Sequence, residues 1–167
     1  MLEIQKNKFE IKYTDINIRQ RIYQKDSYVT LIINTEFYPS LIEENVISGS
    51  IDIKLDLKNV KSLEDLVNTS YSGDIGSVTI SVNNDGVWEH KSYDKFKISI
   101  SKRNGKLLDF DLEAEDCKLK TKGRIISLYT TSTSQEELSQ NFDLKDFQNF
   151  PITKEIGNSK ISRYYIK

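Results

Sequence analysis

A chain of 167 residues with nine tyrosines, seven phenylalanines and one tryptophan is long enough, and rich enough in bulky side chains, to bury a full core in one domain. Its 24 Lys and Arg against 25 Asp and Glu, a net charge of −1, argue against a nucleic-acid binder, which carries a basic excess or a basic stripe. The single cysteine, Cys117, excludes an internal disulfide, and no run approaches the roughly 18 apolar residues of a membrane-spanning helix.

Met1 to Lys6 has neither the basic start nor the apolar run of a signal peptide, so a cytoplasmic protein is expected. Phe9, Ile11 and Tyr13 alternate with Glu10 and Lys12 and predict a first strand with those three on one face. From Asp15 to Asp26 the chain is mixed and polar and reads as a loop. Arg19, Arg21 and Lys25 stand close together in it, a charge cluster suited to a phosphate or an acidic partner. Tyr28 to Phe37 is the most β-prone run. Val29, Leu31, Ile33 and Phe37 share one face and Ile32 makes the other less polar, predicting a central strand that ends at Tyr38-Pro39-Ser40. Leu41 to Val46 predicts a short connection with room for one helical turn. Ile51, Ile53, Leu55 and Leu57 then alternate with Asp52, Lys54, Asp56 and Lys58, a half-buried strand with a charged outer face.

Ser62-Leu63-Glu64-Asp65-Leu66-Val67 predicts a short helix with Ser62 as N-cap, its leucines and valine plugging one end of the fold. Gly73 and Gly76 break the chain without forming a phosphate loop, since no Lys-Ser/Thr follows. Ile75 to Asp116 predicts four strands folded back on one another, the element around which the rest is organised. In the first hairpin a three-residue turn, Asn84-Asp85-Gly86, places Trp88 opposite Val82 and His90 opposite Ile80. In the second, a three-residue turn Arg103-Asn104-Gly105 sets Ile100 against Leu108, Ile98 against Phe110 and Phe96 against Leu112. It also sets Lys97 opposite Asp111 and Lys95 opposite Glu113.

Cys117 and Leu119 continue a strand, Gly123 permits a turn, and Ile125 to Thr130 forms another strand. Ser134-Gln135-Glu136-Glu137 matches a capping box and predicts a second short helix from Gln135. Phe142, Leu144, Phe147 and Phe150 form an aromatic cluster, Pro151 stops it, Gly157-Asn158 turns, and Ile161 to Ile166 predicts a closing strand. The expected fold is all-β: a mostly antiparallel β-sandwich or partly open barrel with two short helices. It forms a single β-rich domain over residues 1–167, with 131–167 packing as an extension.

Chemistry is sparse. One His and one Cys cannot supply the ligands of a zinc site, and Asn83-Asn84-Asp85-Gly86 reads as a hairpin turn rather than a calcium loop. No Gly-x-Ser-x-Gly elbow is present. His90 is predicted to pack beside Trp88 and Ile80, and Cys117 to behave as a small hydrophobe. Asp52, Asp56, Asp109, Asp111 and Glu113 alternate with bases on outer faces, whereas a glycosidase pair faces into a cleft. No catalytic residue, metal ligand or cofactor is expected.

Ser62-Leu63-Glu64-Asp65-Leu66, the glycine-bearing link from Gly73 to Gly76, and Leu107-Leu108-Asp109-Phe110-Asp111-Leu112 resemble small immunity-type proteins of bacterial polymorphic-toxin systems. The resemblance implies a cytosolic, β-rich, non-enzymatic protein that binds and blocks a cognate toxin through a charged, aromatic-dotted surface. From charge and exposure, the candidate partner contacts are Arg19, Arg21, Asp109, Asp111, Glu113 and Tyr164, on a monomer or homodimer that meets neither nucleic acid nor membrane. Two alternatives differ in kind. One is a structural or assembly β-domain, of a phage or cell surface, that self-associates through an edge strand. The other is a small-ligand or carbohydrate-binding sandwich in which Trp88 and Tyr93 stack on a sugar.

Overall fold

The computed structural model describes residues 1–23, 26–60, 62–72, 75–132, 151–156 and 160–165. They form one sheet. Its strands are β1 (Leu2–Ile4), β2 (Asn7–Phe9), β3 (Ile11–Tyr23), β4 (Asp26–Ile42), β5 (Asn45–Lys58), β6 (Thr69–Ser72), β7 (Gly76–Asn84), β8 (Val87–Tyr93), β9 (Phe96–Asn104), β10 (Leu107–Ala114), β11 (Cys117–Ser132), β12 (Pro151–Ile156) and β13 (Lys160–Tyr165). The main path runs β6-β9-β10-β11-β3-β4-β5-β7-β8, with the β1–β2 and β12–β13 hairpins both joined to β11. Two pairings, β11 with β3 and β11 with β12, are parallel and the rest antiparallel. The sheet curls strongly into a half-barrel.

Its interior follows from strict alternation on three long neighbours, β3, β4 and β5. Ile16 and Ile18 on β3, Val29, Leu31 and Ile33 on β4, and Ile51, Ile53 and Leu55 on β5 are all buried. A period of two puts every one of them on the same face. Phe110 and Leu112 from β10 and Ile98 and Ile100 from β9 fill the facing wall, in one contiguous cluster. Each such side chain removes apolar surface from water for about 1.5–3 kcal/mol.

The first of the two expected helices is not there. Ser62 and Asp65 do exchange the predicted cap, Ser62 N–H donating to Asp65 Oδ2 at 2.9 Å and Asp65 N–H to Ser62 Oγ at 3.3 Å. The cap leads into a single 3₁₀ turn, Glu64–Leu66. The chain then reverses at Asn68 (φ 58) to enter β6, which leaves no length for a helix. Leu63 and Leu66 are fully buried, as expected of a plug. The helix predicted from Gln135, the aromatic cluster Phe142 to Phe150 and the Gly157-Asn158 turn lie outside the described residues. Pro151 opens β12, and the closing strand runs Lys160–Tyr165.

Four further expectations are corrected. Asp15 to Tyr23 is strand, not loop, because Thr14, Ile16, Ile18 and Gln20 turn inward in alternation. β4 does not stop at Tyr38-Pro39-Ser40; a bulge between Phe37 and Ser40 absorbs the proline, and the strand turns at Glu43-Glu44. β11 is continuous through Gly123, where a Cβ would lie 2.5 Å from Ile16 Cδ1, so glycine serves packing there rather than turning.

The fourth concerns the central meander, which is split. β7 and β8 end the strand order at one side, while β9 and β10 lie near the other. Asp94 and Lys95 carry the chain across the mouth of the half-barrel. The β9–β10 turn is two residues, with Asn104 paired to Leu107. That register alone would set apolar residues against acids, and a one-residue bulge at Ser101 restores the match. Phe110 therefore faces Ile100, Leu112 faces Ile98, and Glu113 faces Lys97.

Candidate binding face

The outer surface of β3, β4 and β5 is a ladder of registered rows. Tyr13, Glu36 and Ser50 form one row; Asp15, Asn34 and Asp52 the next; then Asn17, Ile32 and Lys54; Arg19, Thr30 and Asp56; and Arg21, Tyr28 and Lys58. The rows continue onto β7 and β8 as Ser50–Ser81–His90 and Asp52–Thr79–Ser92. Asp15, Glu36 and Asp52 gather toward one end of this face, and Arg19, Arg21 and Lys58 toward the other.

Two local irregularities build the acidic end. A bulge at Lys12 shifts the β3–β4 register between Ile11 and Tyr13. Tyr13, expected beside Phe9 and Ile11, is thereby turned out of the core. At the β7–β8 turn, Asp85 (φ 49) and Gly86 (φ 90) both adopt left-handed backbone, the two-residue turn that suits strand twist. Asn83 then pairs with Trp88 and Ser81 with His90. This one-residue change from the expected loop moves both rings to the outer face. Trp88 is 55% exposed and stacks on His90, centroids 6.3 Å apart and rings 7° from parallel. Ser81 Oγ and His90 Nδ1 share a 2.8 Å hydrogen bond.

Between Tyr13 and Trp88 lies an open groove of about 650 Å³, with Asp15, Glu36 and Asp52 in its lining. Lys12 Nζ donates to Glu36 Oε1 at 3.2 Å. Hydrogen bonds from Tyr13 and Lys12 hold the Glu36 carboxyl below its usual range, outweighing its slight burial. The same bond to Glu36, then burial and the charges of Glu36, Asp15 and Asp52, keep the Tyr13 phenol protonated above its ordinary value. Asn34 donates to Asp52 and Ser127 to Asn17, so the amides are oriented. Ile126, which lines the groove, is exposed, as are Tyr38, Leu41 and Val46 elsewhere on the surface of the described residues. Asp85 ties the two hairpin tips together, accepting from Val46 N–H at 2.9 Å and donating its own N–H to Val46 O at 3.2 Å.

The predicted contact residues are scattered. Arg19 and Arg21 do share a second concavity, of about 390 Å³, with Tyr28. Arg21 lies 5.5 Å and Lys58 5.7 Å from that ring centroid. Asp109, Asp111 and Glu113 are on β10, each opposite at least one lysine: Lys102 and Lys122 flank Asp109, Lys120 and Ser99 flank Asp111, and Lys97 and Lys118 flank Glu113. That stripe is self-neutralising. Tyr164 stands opposite Ile152 on β13, its side chain outside the described residues. His90 and Cys117 do not meet: one is on the outer face, the other in the core, where burial first and the Asp116 charge second push the thiol up to about 12. Trp88 and Tyr93 stand on opposite faces of β8, so they do not form one sugar platform.

Among the described residues no cluster of three His, Cys, Asp or Glu side chains could hold a metal ion, and no helix is long and apolar enough to cross a membrane. No protein-family model, curated protein or solved structure matches the chain.

Proposed function

We propose that this chain is a non-enzymatic protein-binding module that engages its partner through the outer face around Trp88, most concretely an immunity-type inhibitor of a bacterial toxin. One observation carries the reading: exposed Tyr13, Trp88 and Ile126 line a groove with excess negative charge. Exposed aromatic anchors inside a polar rim are what protein interfaces use. The acidic lining favours a partner with a basic face. The toxin assignment rests on the sequence resemblance, which implies a β-rich protein.

The test is affinity purification of the tagged chain from lysate of its source cells, with Trp88→Ala as the control bait. A stoichiometric protein that the wild-type chain captures, that Trp88→Ala loses, and whose toxicity the chain suppresses would establish the reading. Recovery of the chain alone would overturn it. A second reading is self-assembly through β8, which ends the strand order and presents an edge with no further strand among the described residues. A scattering mass that falls on dilution would favour it.

A further inference from the structure

The groove between Tyr13 and Trp88 combines exposed ring surface with uncompensated negative charge. Three carboxylates line it, Asp15, Glu36 and Asp52, against the single ammonium of Lys12, and that ammonium is already bound to Glu36. Asp15 makes no ion pair with any described residue. The register fixes their layout. Asp15 and Asp52 stand on either side of Asn34, two strand spacings or about 10 Å apart. Glu36 lies two residues along β4 on the same face, within the diagonal reach of about 7–8 Å from each. A positive group seated over Asn34 would therefore have carboxylates on three sides, in a groove that Trp88 also lines.

The chemistry of that seat selects among cations. A guanidinium is planar, weakly hydrated, pairs with carboxylates through two parallel N–H donors, and stacks on aromatic faces. Its aliphatic stem also suits the exposed apolar side chain of Ile126 in the groove lining. A neutral sugar would leave Asp15 and Asp52 without a counter-charge, and an anion would be repelled.

We infer that the groove seats an arginine side chain presented by a basic segment of the partner protein. This rests on the protein-binding reading and gives the partner's contact its chemistry.

Trp88 is the chain's single tryptophan, so its emission reports on the groove directly. The full chain is titrated with acetyl-tetra-arginine amide, and in parallel with the tetra-lysine and tetra-glutamate peptides and with cellotetraose. The expected result is a saturable change with tetra-arginine, several-fold weaker with tetra-lysine, absent with tetra-glutamate and cellotetraose, and weakened by added salt. Asp15→Asn and Asp52→Asn should each reduce tetra-arginine affinity by about tenfold, the change in equilibrium constant that corresponds to about 1.4 kcal/mol. Circular dichroism identifies any variant that fails to fold. For such a variant, the salt dependence measured on the wild-type chain decides instead. No response to tetra-arginine, an undiminished response in both folded variants or one insensitive to salt, or a response to cellotetraose instead, would overturn the inference. Capture of a protein partner that depends on Trp88 but is indifferent to Asp15→Asn and Asp52→Asn would sink the arginine seat alone. Tetra-arginine binding without any captured partner would support the seat and count against the wider reading.

Discussion

The Tyr93 hydroxyl donates to the Asp116 carboxylate, joining the last strand of the sheet to the turn between its third and fourth. Lys91 Nζ reaches the same carboxylate at 2.7 Å, and Gln5 N–H donates to the Asp116 carbonyl at 2.8 Å. Three parts of the chain far apart in sequence therefore meet at one acid, which clasps the half-barrel across its mouth.

Removing the clasp should cost stability near neutral pH and flatten the loss of stability toward both pH extremes. Burial opposes ionisation of Asp116, but hydrogen bonds from Lys91 and Tyr93 outweigh it and hold the acid below its ordinary value. A lowered carboxyl contributes stability above its unfolded value, and that contribution disappears as pH falls through the folded one. Tyr93 is raised, by burial first and by its bond to Asp116 second. Its contribution is complete below about pH 10 and fades as pH climbs toward the folded value. Asp116→Asn should cost on the order of 1.5–3 kcal/mol at neutral pH and flatten the acid limb. Urea unfolding from pH 2 to pH 11 measures both, and an unchanged acid limb in the variant would refute the clasp.

Gly123→Ala should be destabilising although it adds one methyl group. The new Cβ would lie 2.5 Å from Ile16 Cδ1 and 2.9 Å from the Phe110 ring. Overpacking of this kind costs about 1–3 kcal/mol. Partial recovery in the double variant Gly123→Ala with Ile16→Val, read by thermal unfolding, would trace the cost to this contact.

Trp88→Ala separates binding from folding. With half its surface in water and its ring outside the core, its loss should change stability by no more than about 0.5 kcal/mol. Loss of an interface anchor costs at least about 2 kcal/mol of affinity. Parallel unfolding and binding measurements should therefore move independently, and a large stability loss would place the ring in the core after all.

Glu44→Gly should stabilise the chain. Glu43 (φ 49) and Glu44 (φ 73) occupy left-handed backbone in the β4–β5 turn, where a Cβ is unfavourable. Glycine at the second position relieves about 1 kcal/mol, less its own gain in unfolded freedom. A raised denaturation midpoint is the expected result; a lowered one would mean that the glutamate side chain supports the turn.

Alternation alone made part of the fold legible in the residues. The inward faces of β4 and β5 follow from Val29 to Phe37 and from Ile51 to Leu57. The features that stayed hidden depended on single-residue offsets or distant pairing. Phe9, Ile11 and Tyr13 alternate without fault, so nothing in them announces the bulge at Lys12. Glu43-Glu44 lacks turn chemistry and concealed a hairpin. Trp88 was within reach: Asp85-Gly86 is a two-residue turn signal, and taking it would have set the ring outside. Arg19 and Arg21 were readable too, because Thr14, Ile16, Ile18 and Gln20 mark a strand under them. The parallel seam between β3 and β11 has no local signature.

That seam has a consequence for biogenesis. Ser127 on β11 donates to Asn17 on β3, across 110 residues of chain. During translation β3 can zip with β4 soon after both emerge, but its other edge stays unsatisfied until β11 follows. Non-local and parallel pairings form slowly, and an open strand edge invites strangers. The nascent protein therefore passes through a stage in which one edge of β3 is open, and it is then that the chain is most exposed to pairing with the wrong strand.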